Sequence, residues 1–222
     1  MSAVLLVGAV LSACSEAPSR DEAAREAVAP AAVQARRSAQ AMIDTALSEL
    51  VRLAPALSQV ETSTLDICHA GDTNGFFPHD DYRLECHWHE TRYLAADGDL
   101  AAVLQQTDAA AKQAGCIPGS PTDMDDVRAY LAHGGPGDDG QQLPTPRLSY
   151  TLPGSSMPLE VGWSAATDHF EPSNKPGLTW PTVYVEQHRV DVDALWTGPL
   201  RGRQHLIRLS TSVTYHTIPW PD

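Results

Sequence analysis

Tyr82-Arg83-Leu84-Glu85-Cys86-His87-Trp88-His89-Glu90-Thr91-Arg92-Tyr93 alternates along its length. Tyr82, Leu84, Cys86 and Trp88 fall on one side; Arg83, Glu85, His87, His89 and Thr91 fall on the other. A period of two with aromatic members writes a half-buried strand. Asp97-Gly98-Asp99 follows and supplies a turn and a helix N-cap, because an Asp side chain accepts from the first unpaired helical N–H groups. Leu100, Val103, Leu104, Thr107, Ala111 and Ala114 then recur at helical spacing, and Gly115 stands where a C-terminal stop belongs. A strand thus feeds a helix through a short connection.

Outward from this pair the pattern stays mixed. Met42, Ile43, Ala46, Leu47, Leu50, Leu53, Ala54 and Leu57 mark a helix from about Arg36, with Pro55 as a kink or an end. Thr62 to Cys68 reads as a short strand, and His69 to Asp81, with Gly71, Gly75 and Pro78, as a loop. Pro121 to Leu131 reads as a short helix capped by Thr122 or Asp123, and His133 to Pro146 as irregular. Leu148 to Leu152, Pro158 to Trp163, Val183 to Val192 and Gln204 to Thr217 read as strands. Helices and strands do not alternate strictly, so the expected class is α+β: a mostly antiparallel sheet with helices packed on one face, preceded by an N-terminal tether and helix.

The N-terminus has a separate message. Leu11-Ser12-Ala13-Cys14 closes an apolar run from Ala3 and resembles the lipobox of bacterial lipoproteins. The run is too short to span a bilayer, which takes about 20 residues, but it fits the apolar core of a secretory signal. The resemblance implies cleavage before Cys14, a thioether-linked diacylglycerol on its sulfur, palmitate among the acyl chains, and a place at the cell membrane on the extracytoplasmic face. Two or more acyl chains anchor stably where one does not. No Lys or Arg precedes Arg20, so a basic segment is expected upstream of Met1. Residues 1–13 are therefore read as signal peptide, 14–35 as a tether rich in Ala, Glu, Arg and Pro with room for some helix, and 36–222 as a single α+β domain.

The formal net charge is -13. Such a chain is repelled by nucleic acid and by anionic headgroups, so neither is an expected partner. Of 15 basic residues two are Lys, Lys112 and Lys175, and the other 13 are Arg, a bias typical of a high-GC genome. With Cys14 set aside, Cys68, Cys86 and Cys116 permit three pairings. Cys68–Cys86 is the favoured bridge, since both lie in strand-like segments joined by one long loop; Cys116 would then be a buried thiol after a helix. The segment 65–116, with Cys86-His87-Trp88, Thr91-Arg92-Tyr93 and Asp97-Gly98-Asp99-Leu100, resembles uncharacterised lipoproteins of high-GC actinobacteria. That family implies no catalytic residues.

Four constellations are candidates for chemistry. His87 and His89 point to the same side of their strand and could bind zinc or copper with a third ligand from His69, His79 or Glu85. Gly162-Trp163-Ser164-Ala165-Ala166 half resembles a nucleophile elbow, with Ala where the second Gly is required. Asp123, Asp125, Asp126, Asp138 and Asp139 are acidic enough for calcium but lack the EF-hand order. Trp163, Trp180, Trp196 and Trp220 could line a groove for sugar or peptide. No phosphate loop, dinucleotide fingerprint or C-x-x-C pair occurs, so no cofactor is expected. The leading functional expectation is a lipid-anchored, non-enzymatic binding or accessory module of the cell envelope with an envelope protein, peptide or glycan as partner. The alternative is an extracytoplasmic hydrolase or metal-binding protein.

Overall fold

The computed structural model describes residues 20–71, 80–120, 122–132, 146–165 and 182–220. Cys14, His79, Trp180, Asp138 and Asp139 lie outside them. The element order is α1 (Arg20–Ala27), α2 (Pro30–Leu53), β1 (Ser58–Ala70), β2 (Tyr82–Ala96), α3 (Leu100–Gln113), β3 (Ile117–Pro118), α4 (Asp123–Ala132), β4 (Leu148–Thr151), β5 (Pro158–Ala165), β6 (Thr182–His188), α5 (Val192–Thr197) and β7 (His205–Pro219). The strands form one seven-stranded sheet in the order β3-β4-β5-β7-β2-β1-β6. Every pairing is antiparallel. The α+β expectation therefore holds.

The alternation in β2 sorts the two faces. Leu84, Cys86, Leu94 and Ala96 are buried on the side covered by α1 to α4. There Ile43, Leu47 and Leu50 of α2, Val103 and Leu104 of α3 and Val127 of α4 pack on Leu159, Val161, Ile207 and Leu209. The Asp99 carboxylate caps α3, accepting from the Ala102 N–H at 2.9 Å. Gly115 ends that helix at φ +87°, the left-handed conformation glycine tolerates. One short helix departs from the one-face arrangement. Val192 and Leu195 of α5 pack with Tyr93, Ala95 and Leu206, which alternate with Leu94, Ala96 and Ile207 and so face the other way.

Cys68 and Cys86 stand directly opposite each other in β1 and β2 and form a disulfide. Cys116 is a buried free thiol whose pKa burial pushes up. Ala23 and Ala27 of α1 pack against the bridge, with Ala70 and Leu84. Residues 20–35, read as part of a tether with room for helix, are helical apart from the short link between α1 and α2, and Ala23, Ala27 and Ala32 are fully buried. Alanine lets a helix approach a sheet closely, so a segment without large apolar side chains still docks. Arg83 of β2 holds α1 by ion-pairing with Glu26, and Glu22 lies 3.9 Å from it. No helix among the described residues is long and apolar enough to cross a membrane.

Candidate functional site

Register brings two polar clusters together at the middle of the sheet, one on each face. Cross-strand pairs are Leu65 with His89, Ile67 with His87 and His69 with Glu85. They place three imidazoles and a carboxylate on the face turned away from α1 to α4. The ring centroids of His69 and His87 are 6.1 Å apart, as are those of His87 and His89. His87 is fully engaged: Nε2 lies 2.9 Å from Glu85 Oε2 and Nδ1 lies 3.1 Å from Thr214 Oγ1 on β7. A carboxylate only accepts, so His87 donates through Nε2–H, and in the neutral ring Nδ1 then accepts from the threonine hydroxyl. Thr214, His87 and Glu85 form a hydroxyl–imidazole–carboxylate chain, a connectivity that can move a proton off the hydroxyl.

Burial, and then the neighbouring His87, lower the pKa of His69. Burial also lowers that of His89, followed by His87 and His69. Both are thereby kept in the neutral form that coordinates metals or accepts hydrogen bonds. The buried Nδ1 of His69 has no hydrogen-bond partner. For the candidate zinc or copper site, which the sequence offers without calling for a metal, the obstacle is His87, whose two nitrogens are already bonded. Among the described residues no group of three or more His, Cys, Asp or Glu is placed to hold a metal ion.

The second cluster lies beneath α2, on the helix-covered face. Asp66 of β1 is fully buried. It forms an ion pair with Arg36 Nε and accepts from the Tyr215 hydroxyl at 2.7 Å. The Arg36 guanidinium also donates to the Tyr215 oxygen at 3.1 Å and to the Ala27 carbonyl at 3.3 Å, and sits 4.8 Å from the centre of the Tyr184 ring. Tyr184 in turn donates to Glu186 at 2.8 Å, and burial and that bond push its pKa up to about 12. Burial raises the Asp66 pKa, opposed by Tyr215 and Arg36. Cys68 Sγ lies 3.5 Å from the same Tyr215 hydroxyl. This cluster clamps α2 to the sheet beside the disulfide. A similar clamp stands further along: buried Arg92 bonds Glu90 at 2.9 Å, Asp44 at 2.7 Å and Ser48 at 2.9 Å.

The three comparisons come up empty: no family model, curated protein or solved structure matches this chain.

The remaining candidates disperse. Ser164 is buried and still paired in β5, opposite Leu206, where an elbow serine would be exposed; the residues after Ala165 lie outside the described ones. Asp123 receives the Ser149 N–H and hydroxyl, at 3.1 and 2.8 Å, tying α4 to β4; Asp125 pairs with Arg128 at 2.8 Å. These acids are occupied rather than gathered. Trp163 packs on the main core, Trp196 lies with α5 on the other face, and Trp220 donates to the Asp80 carbonyl at 2.8 Å. The three do not share a groove. Asp66, Arg36 and Tyr215 were not singled out from the sequence. The available signal was Asp66 itself, a charged residue sharing the inward parity of Cys68 in an otherwise apolar Leu65–Cys68 run.

Proposed function

We propose that this chain is an exported, lipid-anchored binding or accessory module of the cell envelope, held by acylated Cys14 and presenting the His69–His87–His89 face to its partner. The observation that carries the export reading is the Cys68–Cys86 bridge between β1 and β2, since structural disulfides belong to oxidising compartments. What supports binding over catalysis is that the buried charges described above serve each other: Arg92 with Glu90 and Asp44, Arg36 with Asp66. The deciding measurement is intact mass from native membranes. The expected species begins at Cys14 and carries acyl mass, and Cys14→Ser loses it; a retained Met1 or an unmodified Cys14 overturns the anchor. For the surface, cross-linking in membranes should trap a partner with the native chain and lose it with His69→Gln/His89→Gln. An unchanged pattern would move the surface elsewhere.

One observation favours a second reading, a hydrolase. The Thr214–His87–Glu85 chain has the connectivity of an activated hydroxyl nucleophile. In that case a fluorophosphonate probe labels Thr214, and His87→Gln abolishes the labelling. A chain that takes up no probe is not a hydrolase of this kind.

A further inference from the structure

Charge is spread unevenly over this chain. Its net value is -13, yet Ala23 to Ile43 hold Arg25, Arg36 and Arg37 against the single acid Glu26. Glu26 is paired with Arg83 of β2, and Arg36 with Asp66 beneath α2. Arg25 and Arg37 are exposed. Arg25 sits midway between buried Ala23 and Ala27, so it points away from the sheet. From Ala31 to Met42 the exposed positions of α2 are Ala31, Gln34, Arg37, Ser38, Ala41 and Met42, none of them acidic. Val28, between the two helices, is 53% exposed and Met42 43%, both uncommon for large apolar side chains on the described surface. The nearest acids in sequence are Asp21 and Glu22 before the stretch and Asp44 after it. Glu22 lies 3.9 Å from Arg83, and Asp44 bonds Arg92 at 2.7 Å.

We infer that this surface, α1 and the first half of α2 with Arg25, Val28, Arg37 and Met42, lies against the headgroups of an anionic bilayer. The His69–His87–His89 face is then turned away from the membrane. The inference rests on the acylated Cys14 proposed above. Cys14 stands six residues before Arg20, where α1 begins. Fully extended, that length of chain reaches at most about 22 Å. α1 is itself fixed to the sheet by Ala23, Ala27 and the Arg83–Glu26 pair, so it adds no slack. The anchor thus emerges from the helix layer, and the sheet stands between it and the histidines. Guanidinium groups meet the phosphates of the leaflet, while Val28, Met42 and the arginine stems enter the interface as snorkelling side chains do. The acyl chains supply the attachment, and the patch selects which side faces down. Anionic lipid repels the acid-rich remainder of the chain. With a screening length of about 8 Å, the leaflet senses the charges nearest to it and little of the acid beyond the sheet. A partner for the histidine face approaches from the aqueous side.

The experiment takes the full-length protein from native membranes into vesicles of phosphatidylglycerol and phosphatidylcholine containing headgroup-labelled quencher lipid. A fluorophore sits on one added cysteine, Met42→Cys on α2 or Val185→Cys on the other side. Ile67 pairs with both His87 and Val185, which places Val185 on the histidine face. Cys68 and Cys86 are bridged and Cys116 is buried, so the added thiol takes the label. The label at 42 should be quenched severalfold more strongly than the label at 185. Arg25→Glu/Arg37→Glu should lower the ratio of docked to undocked domain about tenfold and bring the two values together. Arg25→Lys/Arg37→Lys should keep the difference, and high salt should reduce it. Circular dichroism confirms that each variant folds, and intact mass of the same sample reads the acylation of Cys14. An unacylated chain removes the anchor and this orientation with it. An acylated chain quenched equally at both sites, more strongly at 185, or unmoved by the arginine reversal overturns the orientation alone.

Discussion

Replacing Arg36 with Met tests whether the cluster under α2 is a clamp. Asp66 is fully buried and has two partners that favour its charge, Arg36 and the Tyr215 hydroxyl. Met fills much of the same space and leaves the carboxylate with the hydroxyl alone. Removing one member of a buried pair costs about 3–5 kcal/mol, because the other charge stays desolvated. With a urea slope of about 2 kcal/mol/M, the midpoint should fall by about 1.5–2.5 M. The pH dependence separates this cause from lost packing. Burial already holds the Asp66 pKa above its ordinary value, and deleting Arg36 raises it further. A carboxyl whose pKa is higher folded than unfolded gives stability that is present below the unfolded value of about 3.9 and is lost as pH rises through the folded one. The penalty of Arg36→Met should therefore be largest at pH 7 and shrink on acidification. Arg36→Met/Asp66→Asn should recover a good part of it, with a coupling of about 2 kcal/mol or more in the double-mutant cycle. Denaturant curves of the four proteins at pH 7 and pH 5 measure all of this. A loss under about 1 kcal/mol, a penalty independent of pH, or additive mutations would refute the clamp.

Other outcomes follow from the same contacts. His69 and His89 have pKa values below the usual imidazole value, so the unfolded chain takes up protons first; stability should fall as pH drops below about 6.5. Thermal unfolding between pH 7.5 and 5.5 should show a flatter slope for His69→Gln/His89→Gln, and an unchanged slope contradicts the assignment. Opening the bridge with a reductant, or as Cys68→Ala/Cys86→Ala, should cost about 3 kcal/mol for its 18-residue separation. Proteolysis should then begin near α1, which rests on the bridge; cutting elsewhere first would argue against that packing. Gly71 has no room for a side chain, since a Cβ would meet the Tyr82 carbonyl oxygen at 1.8 Å. Gly71→Ala should destabilise by more than about 1 kcal/mol, and native-like stability would show that the backbone at Gly71 and Tyr82 moves apart freely.

What was legible and what was not divides along the reach of each interaction. β2 and α3 could be read because their signals are local: a period of two, an Asp cap and a terminal glycine within a few residues of one another. β1 was read only from Thr62 to Cys68, because Ser58-Gln59-Val60-Glu61 is polar and joins the sheet through pairing with Tyr93, Leu94 and Ala95. β6 was read four residues too long at its end, where Arg189 leads into α5. That helix has its cap, Asp191, which accepts from Asp193 and Ala194, but six residues are too few to establish a helical period.

The candidate site shows the same limit more sharply. That His87 and His89 share a face follows from β2 alone. That His69 joins them, opposite Glu85, depends on the register between β1 and β2, which the disulfide at Cys68–Cys86 pins. That His87 is bonded on both nitrogens depends on Thr214, which lies 127 residues away in sequence. On β2 alone, His87 and His89 leave a metal site open. It narrows once β7 occupies Nδ1 and Glu85 occupies Nε2. The bridge thus does for both faces what the local sequence cannot. By fixing which residues of β1 and β2 stand opposite each other, it sets Asp66 under Arg36 on one face and His69 beside His87 on the other. A slip of one residue by β1 would carry Asp66 away from Arg36 and turn His69 toward the helices, away from His87 and His89.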